Sequence, residues 1–405
     1  MSEPSPQPNY ADQFRCIGPD CEQSCCAGWG AYVDKATYKK YRETPGLRQA
    51  AARHIELNRA GRDAFRYARI KFRADGRCPF LADDNLCEIQ KQHGAAYLSR
   101  TCAQYPRALV SFDGGTQRAL YLSCPEAARL VLLSPQLLPE RNGKRYLPTQ
   151  DSAPSPEASA VTRALREFAL DVLQDRSYPL WQRLLVLGIV CQRVQEPAAP
   201  SPSGSTQLLA QYGAMLREGS LRPSLDGIPA RPGLQLELVL RLIRGRFQLE
   251  QPDRHFAELV AEFLRAIGHS PETPAEQMAA RYQDAYVGCL APFEDAYPCF
   301  LENYVLNHIF RARFPFAELP GEPQRSAEPL TSYVLLALHY RVLHSLLMGA
   351  AARRGRGFSS NDAVRVVHSF ARGVEHHPAF CHELEKFAHA PELRQTDGMA
   401  LLLRN

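Results

Sequence analysis

A chain of 405 residues, 45% hydrophobic and 22% charged, is too long for one ordinary core and too apolar to be a disordered polypeptide. Its net charge of +5 comes without any basic run, so it lacks the electrostatic footprint of a nucleic-acid binder. The first 130 residues hold 19 Lys and Arg against 14 Asp and Glu, which places the whole excess of positive charge at that end of the chain.

The start, MSEPSPQPNYADQF, has neither a basic region nor an apolar run and does not read as a signal peptide. A cytoplasmic location is therefore expected. Disulfides are rare there, so clustered thiols point to metal binding or catalysis. Such a cluster follows at once in CIGPDCEQSCCAGWG, which carries Cys16, Cys21, Cys25 and Cys26. Trp29, close behind, reads as a shield for a metal centre or as a core aromatic. DKATYKKYRET reads as a helix. CPFLADDNLCEI reads as a short hairpin with Cys78 and Cys87 on its two arms. IQKQHGAAYLSRTCAQYPRALV reads as one helix with Cys102 near its end, and QRALYLSC as a short strand leading to Cys124.

Eight of the twelve cysteines thus fall before residue 125. Arginines nearby help hold thiolates ionised. Four Cys or His ligands make a tetrahedral zinc site, and up to four thiolates hold a [4Fe–4S] cluster. The eight suffice for two such sites, or for one site with spare thiols. Adjacent side chains in an extended backbone point apart, so Cys25 and Cys26 suit a cluster edge or two neighbouring centres rather than one zinc.

This gives a cysteine-rich metal-binding domain over residues 1–133. A Pro- and Ser-rich linker or long loop follows over 134–160, and a helical domain over 161–405. AVTRALREFALDVL, YPLWQRLLVLGIVCQRV, GLQLELVLRLIRGRF, RHFAELVAEFLRAIG and AEQMAARYQDAYVGCL all carry apolar residues at helical spacing. Cys191, Cys289, Cys299 and Cys381 are scattered among such segments and read as structural. The longest apolar stretch, from Tyr333 to Ala352, contains His339, Arg341 and His344. Lipid would receive those groups at high cost, so the stretch reads as an amphipathic helix and no membrane contact is expected. His376 and His377 are adjacent, diverge in direction, and read as a surface loop rather than a metal site. The fold class expected is mainly α, with the short hairpin confined to the cysteine-rich region.

The pattern CxxxxCxxxCCxGW, then CPFLxxDNLCxIQxxxGxxYLSxTCxxYPR, then SCPE, resembles the flagellin lysine N-methylase family within a wider group of cysteine-rich, zinc- or iron-chelating proteins. The similarity continues in ENYVLNHIFRARFPF, from Glu302 to Phe316. The resemblance implies methylation of the ε-amine of lysines on flagellin, with S-adenosylmethionine as cosubstrate. It implies an iron–sulfur cluster on the cysteines, a [4Fe–4S] centre, with zinc as the other candidate. No glycine-rich turn lies between a strand and an apolar helix, so a Rossmann-type cosubstrate site is not expected. The radical spacing CxxxCxxC begins at Cys21 and Cys25, but Gly28 stands where its third cysteine belongs. An open iron chelating the amino acid end of the cosubstrate is an analogy with radical enzymes.

A lysine ammonium has no lone pair and must lose its proton before it attacks. Glu302, Tyr304 and His308 are the residues of the ENYVLNH segment chosen for that work. Arg100, Tyr105 and Arg107 flank Cys102 and are placed to bond a sulfur or to reach the cosubstrate carboxylate. Two rival readings stand beside this one: a non-enzymatic zinc- or iron-binding protein, and a redox protein that uses the cluster for electron transfer.

Overall fold

The computed structural model describes residues 10–28, 30–59, 63–112, 115–138, 149–150, 159–196, 202–316, 318–319, 322–326 and 328–405. Trp29 and most of the 134–160 linker lie outside the described residues. The chain divides into two compact units. One comprises Phe14–Ala108 with Cys124–Ala127. The other comprises Leu109–Ser123 and Ala128–Asn405, together with the N-terminal stretch through Gln13.

The first unit is built on a three-stranded antiparallel sheet. The strand Ala68–Ile70 lies between Tyr32–Val33 and Ile55–Leu57, with Val33 opposite Ala68 and Ile55 opposite Ile70. The inward residues Val33, Ala68, Ile70 and Ile55 meet Tyr41, Leu47, Phe80 and Ile89 in one apolar cluster. The helix Lys35–Glu43 forms where DKATYKKYRET led us to expect it, because the Asp34 side chain accepts from Thr37 N at 3.0 Å and caps it. The hairpin shrinks to a tight turn. Leu81 and Cys87 form a single antiparallel bridge, Ala82 N donates to Leu86 O at 2.9 Å, and Asn85 closes the turn at φ 60°.

The single helix expected over 89–110 is broken into the helix Glu88–His93, a helical turn Ala95–Tyr97, the helix Arg100–Gln104 and the strand Arg107–Phe112. Gly94 at φ 83° stops the first helix, and Ser99 starts the next by accepting from Cys102 N at 3.3 Å. Apolar spacing had masked both signals.

The second unit is helical throughout its long C-terminal run. The segments expected as helices are observed as Ser159–Gln174, Leu180–Gln195, Pro232–Leu249, Arg254–Ala266 and Ala275–Ala285. The last four gather on the helix Pro329–Arg354, which is not amphipathic: Pro329 through Ala351 are all buried. It is long and apolar enough to cross a membrane by length and composition, but its window is 94% buried inside the protein. Its polar groups find protein partners. Arg341 donates to His344 Nδ1 at 2.6 Å and to Asn405 Oδ1 at 2.8 Å, and His344 Nε2 lies 2.8 Å from Glu294 Oε1. Backbone contact requires glycine at one crossing: a Cβ on Gly349 would stand 2.4 Å from Phe263 Cα.

The strand pairings resolved among the described residues are antiparallel. The glycine-rich stretch RRGRGFSS joins two helices, ending Pro329–Arg354 at Gly355 and leading to the Ser359 cap of Ser360–Phe370.

Candidate functional site

All eight N-terminal cysteines belong to the first unit, and the other four to the second. The sheet and turn of the first unit position the thiols. Ala27 and Arg77 form an antiparallel bridge, and Cys78 N donates to Cys26 O at 2.8 Å, so Cys26 and Cys78 face each other across two strands of chain. The Cys26 thiol is hydrogen-bonded to both Cys25 and Cys78. The bond from Cys25 favours the thiolate. The bond to Cys78, burial, and the like charges of Cys78 and Cys102 outweigh it and push Cys26 up to about 12. Cys78, on the accepting end, is held below the usual thiol value. Burial pushes Cys124 up to about 12 against the amides of Ala127 and Glu126 that bond its sulfur.

Among the described residues, no three His, Cys, Asp or Glu side chains stand at the spacing of a single metal ion. Four thiolates on zinc lie roughly 3.8 Å apart, from a Zn–S bond of about 2.3 Å.

Arg100, Tyr105 and Arg107 do not converge on one point. The Arg100 guanidinium lies 4.3 Å from the Phe65 ring centroid, its own amide donates to Asp34 Oδ2 at 3.0 Å, and it lines a cavity of ≈ 510 Å³ with Asp34, Lys35, Lys39 and Phe65. Arg107 donates to Phe14 O at 3.1 Å and stacks on the Phe14 ring. Tyr105 precedes Pro106 through a cis peptide bond.

In the second unit, the helix Phe300–Arg311 is buried on every face from Phe300 to Phe310, so its polar residues do not border an open cleft. They serve separate ends. Glu302, 1% exposed, is ion-paired with Arg183 at 2.7 Å and with Arg176 at 2.8 Å. Asn303 donates to Ser134 O at 2.7 Å. Asn307 accepts from Tyr10 OH and the Leu120 amide and donates to Leu120 O, which fastens a strand end to the helix.

Tyr304 and His308 do come together, within a buried polar ring that sequence reasoning had not assembled. Tyr304 OH donates to Glu375 Oε1 at 2.9 Å, Glu375 Oε2 lies 3.0 Å from Arg311, and Arg311 lies 3.3 Å from His308 Nδ1. The His308 and His339 rings lie 5.7 Å apart. Burial, then the positive charge of Arg311, holds His308 well below the usual imidazole range. Burial holds His339 below it as well. Burial opposes the Glu375 charge, but Arg311 keeps that carboxyl below its usual value. Tyr304 is raised well above a free phenol, by burial and then by Glu375. His339 Nδ1 lies 2.8 Å from Leu335 O, so Nδ1 carries the proton and Nε2 the lone pair. That lone pair is buried and has no hydrogen-bond partner.

Glu375 ends a π-helical turn, Ala371–Glu375, of a kind often found at functional sites. Nothing in residue types marks such a turn, which is why Glu375 went unread. His376 is not on a surface loop: its Nε2 lies 2.7 Å from the Ser123 hydroxyl. His377 caps the helix Pro378–Ala388, accepting from Phe380 N at 3.1 Å.

A family model described as the FliB lysine N-methylase C-terminal domain matches residues 166–402, which include the whole of this polar ring except its N-terminal neighbours. Two proteins named lysine-N-methylase, from Salmonella choleraesuis strain SC-B67 and Salmonella typhimurium strain LT2, are each 25% identical over 98% of this chain and 97% of their own. A flagellar biosynthetic protein FliU from Salmonella muenchen is 35% identical over 33% of this chain and 79% of its own. No solved structure matches.

Proposed function

This chain belongs to the FliB lysine N-methylase family, and from that premise we propose that it methylates lysine side chains of flagellin in the bacterial cytoplasm, with S-adenosylmethionine as methyl donor. Similarity to the lysine-N-methylases over nearly the full length of both chains is the observation that carries the reading. The name of the FliU relative supports the flagellar substrate. Twelve free cysteines suit a reducing compartment.

The donor gives its methyl from sulfonium sulfur, so an S–CH₃ bond breaks as an N–CH₃ bond forms, and the donor leaves as a thioether. The amine must arrive without its proton. At pH 7 a free lysine is almost wholly ammonium. Within the buried ring the neutral acceptor with an unused lone pair is His339 Nε2, its tautomer fixed by Leu335 O, and it can take that proton only if the helices around it open to admit the lysine. Tyr304, Glu375 and Arg311 hold the ring in register around it. Glu302 has no part in the proton transfer, because two arginines neutralise it.

The thiols of the first unit would hold an iron–sulfur cluster, with zinc as the other candidate; the support for this reading is a donor set made of sulfur alone, with Cys26 and Cys78 brought together by the Cys78 N to Cys26 O hydrogen bond. Such a cluster with one open iron supplies a chelating point for an amino acid carboxylate and amine. Cys78 and Cys26, packed in and against the apolar cluster of the sheet, would tie it to that core, and Phe80 and Leu81 would limit water there.

The test is methyl transfer by the anaerobically purified chain to flagellin, read by mass spectrometry, together with flagellin from cells that carry or lack the gene. Methylated lysines are expected only with the gene, and His339→Gln should lower kcat at least tenfold while the fold is kept. Unmodified flagellin in both settings would overturn the assignment.

A further inference from the structure

Three cations of the first unit meet without a counter-charge. Lys35 and Lys39 stand one turn apart on the helix Lys35–Glu43, and Arg100 opens the helix Arg100–Gln104. All three are exposed and line the cavity of ≈ 510 Å³ together with Asp34, Ala64 and Phe65. Other cations of this unit have carboxylates: Arg69 meets Glu56 at 2.6 Å, and Lys91 meets Asp84 at 2.7 Å. Among the described residues, no carboxylate pairs with Lys35, Lys39 or Arg100. Asp34 does not serve them, because its oxygens accept from Thr37 N and Arg100 N, each at 3.0 Å. Lys35 also stands in the first turn of its helix, where the dipole disfavours a cation and no acidic residue shares the turn.

The walls of this cavity are fixed by the backbone. The two bonds to Asp34 tie the start of one helix to the start of the other, and Lys35 N donates to Ala64 O at 2.9 Å. Asp63 accepts from Phe65 N at 2.7 Å and from Arg66 N at 2.6 Å. Phe65 is thereby held outward, 58% exposed, with the Arg100 guanidinium 4.3 Å from its ring centroid. A guanidinium stacked on a ring keeps its N–H edge for a carboxylate. Lys40, by contrast, is already engaged: it donates to Ala96 O at 2.8 Å and lies 4.1 Å from the Tyr97 ring centroid.

We propose that this cavity docks an acidic, extended segment of the protein substrate, with two carboxylates on the cations and an apolar side chain on Phe65. The inference rests on the reading that this chain acts on a protein, and it names how that protein is held. Lys35 and Lys39 lie about 6 Å apart along the helix axis, and side chains on one face of an extended chain recur at about 6.6 Å. The segment therefore carries acids at alternate positions, with the apolar residue two further on. Walls made of exposed side chains suit a segment laid across them, whereas a small-molecule site buries roughly 70–90% of its ligand. The Asp34 charge in the wall and the lack of a basic run disfavour a nucleic acid.

Fluorescence anisotropy of a labelled peptide, Glu-Ser-Glu-Ser-Leu between Gly-Ser flanks, titrated with the full chain, gives the test. Saturable binding is expected, lost when Gln replaces both Glu and weakened as salt is raised. Lys39→Glu and Arg100→Glu should each weaken it about tenfold or more, and Phe65→Ser about threefold. Lys91→Glu, outside the cavity, should leave it unchanged. The Lys39→Glu chain should prefer a peptide with Lys in place of one Glu, a gain that only a folded variant can show. With flagellin as substrate, Lys39→Glu should raise KM and keep kcat. No binding by the wild-type chain, equal binding of the Glu and Gln peptides, equal weakening by Lys91→Glu and Lys39→Glu, or tighter binding of a single-stranded oligonucleotide than of the peptide would overturn the proposal. Unmodified flagellin with the peptide bound would tell against the methylase reading and leave the docking site standing. Methylated flagellin with no peptide bound would do the reverse.

Discussion

Glu302→Gln separates a structural carboxylate from a catalytic one. Glu302 is 1% exposed and meets Arg183, whose side chain is 5% exposed, at 2.7 Å. Its second partner, Arg176, is 49% exposed, so water can take over that charge. Removing one member of a buried pair costs about 3–5 kcal/mol, because the remaining charge is stranded. Glutamine keeps one oxygen for a hydrogen bond, and Arg183 also donates to Leu173 O. The loss should therefore fall at the low end, about 3 kcal/mol. A charge-free pair, Glu302→Leu with Arg183→Met, should recover most of it. Urea unfolding followed by circular dichroism reads the stability, and methyl transfer by the folded fraction reads the chemistry. Glu302→Gln should shift the midpoint and leave kcat within about twofold of wild type. An unchanged midpoint with transfer abolished would show that Glu302 handles the proton and that the ion-pair argument is wrong.

Four other outcomes are expected. Gly349→Ala should cost about 2–3 kcal/mol in chemical denaturation, since its Cβ would meet the Phe263 backbone at 2.4 Å and neither helix can retreat without opening the core. Acid should destabilise the second unit: burial, then Arg372, holds His368 at about 3, and burial, then Arg311, holds His376 at about 4. These imidazoles stay neutral when folded and protonate near 6.5 when unfolded. Each therefore withdraws up to about 1.4 kcal/mol per pH unit as pH falls from 6.5 towards its folded value, and nothing above 6.5, which unfolding midpoints between pH 7 and 5 would track. Cys191→Ala, at a fully buried thiol of the second unit, should cost about 1–2 kcal/mol and leave iron content unchanged, so a fall in iron would refute its structural role. Cys25→Ala with Cys26→Ala should strip the metal and loosen the first unit, since ligand binding there is part of folding, and retention of metal and melting temperature would refute it.

The helices of the second unit were legible because apolar residues recur at helical spacing and proline or glycine breaks stand between them. The buried helix Pro329–Arg354 was legible as a helix but not as a core element. Its three basic side chains argued for a wet face, and only Glu294 and Asn405, far away in sequence, explain how the interior holds His344 and Arg341. The broken segment from Glu88 to Phe112 failed for a local reason: Gly94 and Ser99 each decide one backbone turn, and neither changes the apolar pattern. The thiol-rich region was plain from spacing, whereas the separation of Glu302 from Tyr304 and His308 was not. Residues two apart on a helix point about 200° around it, but which side is buried depends on neighbours that the segment does not contain. On this helix every side is.

The position of Pro329–Arg354 late in the chain has a consequence for synthesis. The helices Leu180–Gln195, Pro232–Leu249, Arg254–Ala266 and Ala275–Ala285 pack on a partner that the ribosome delivers only after they are made. At about 5–20 residues per second, the wait between Leu180 and the middle of that helix is roughly 10–30 s. During it, the faces of Leu184, Val239, Phe263 and Tyr282 have no core to enter. The cysteine-rich unit is complete once Ala127 has emerged. Nascent chains stalled before residue 329 should therefore carry a finished sheet region and an unfinished, chaperone-binding helical one, and chains released after residue 354 should not.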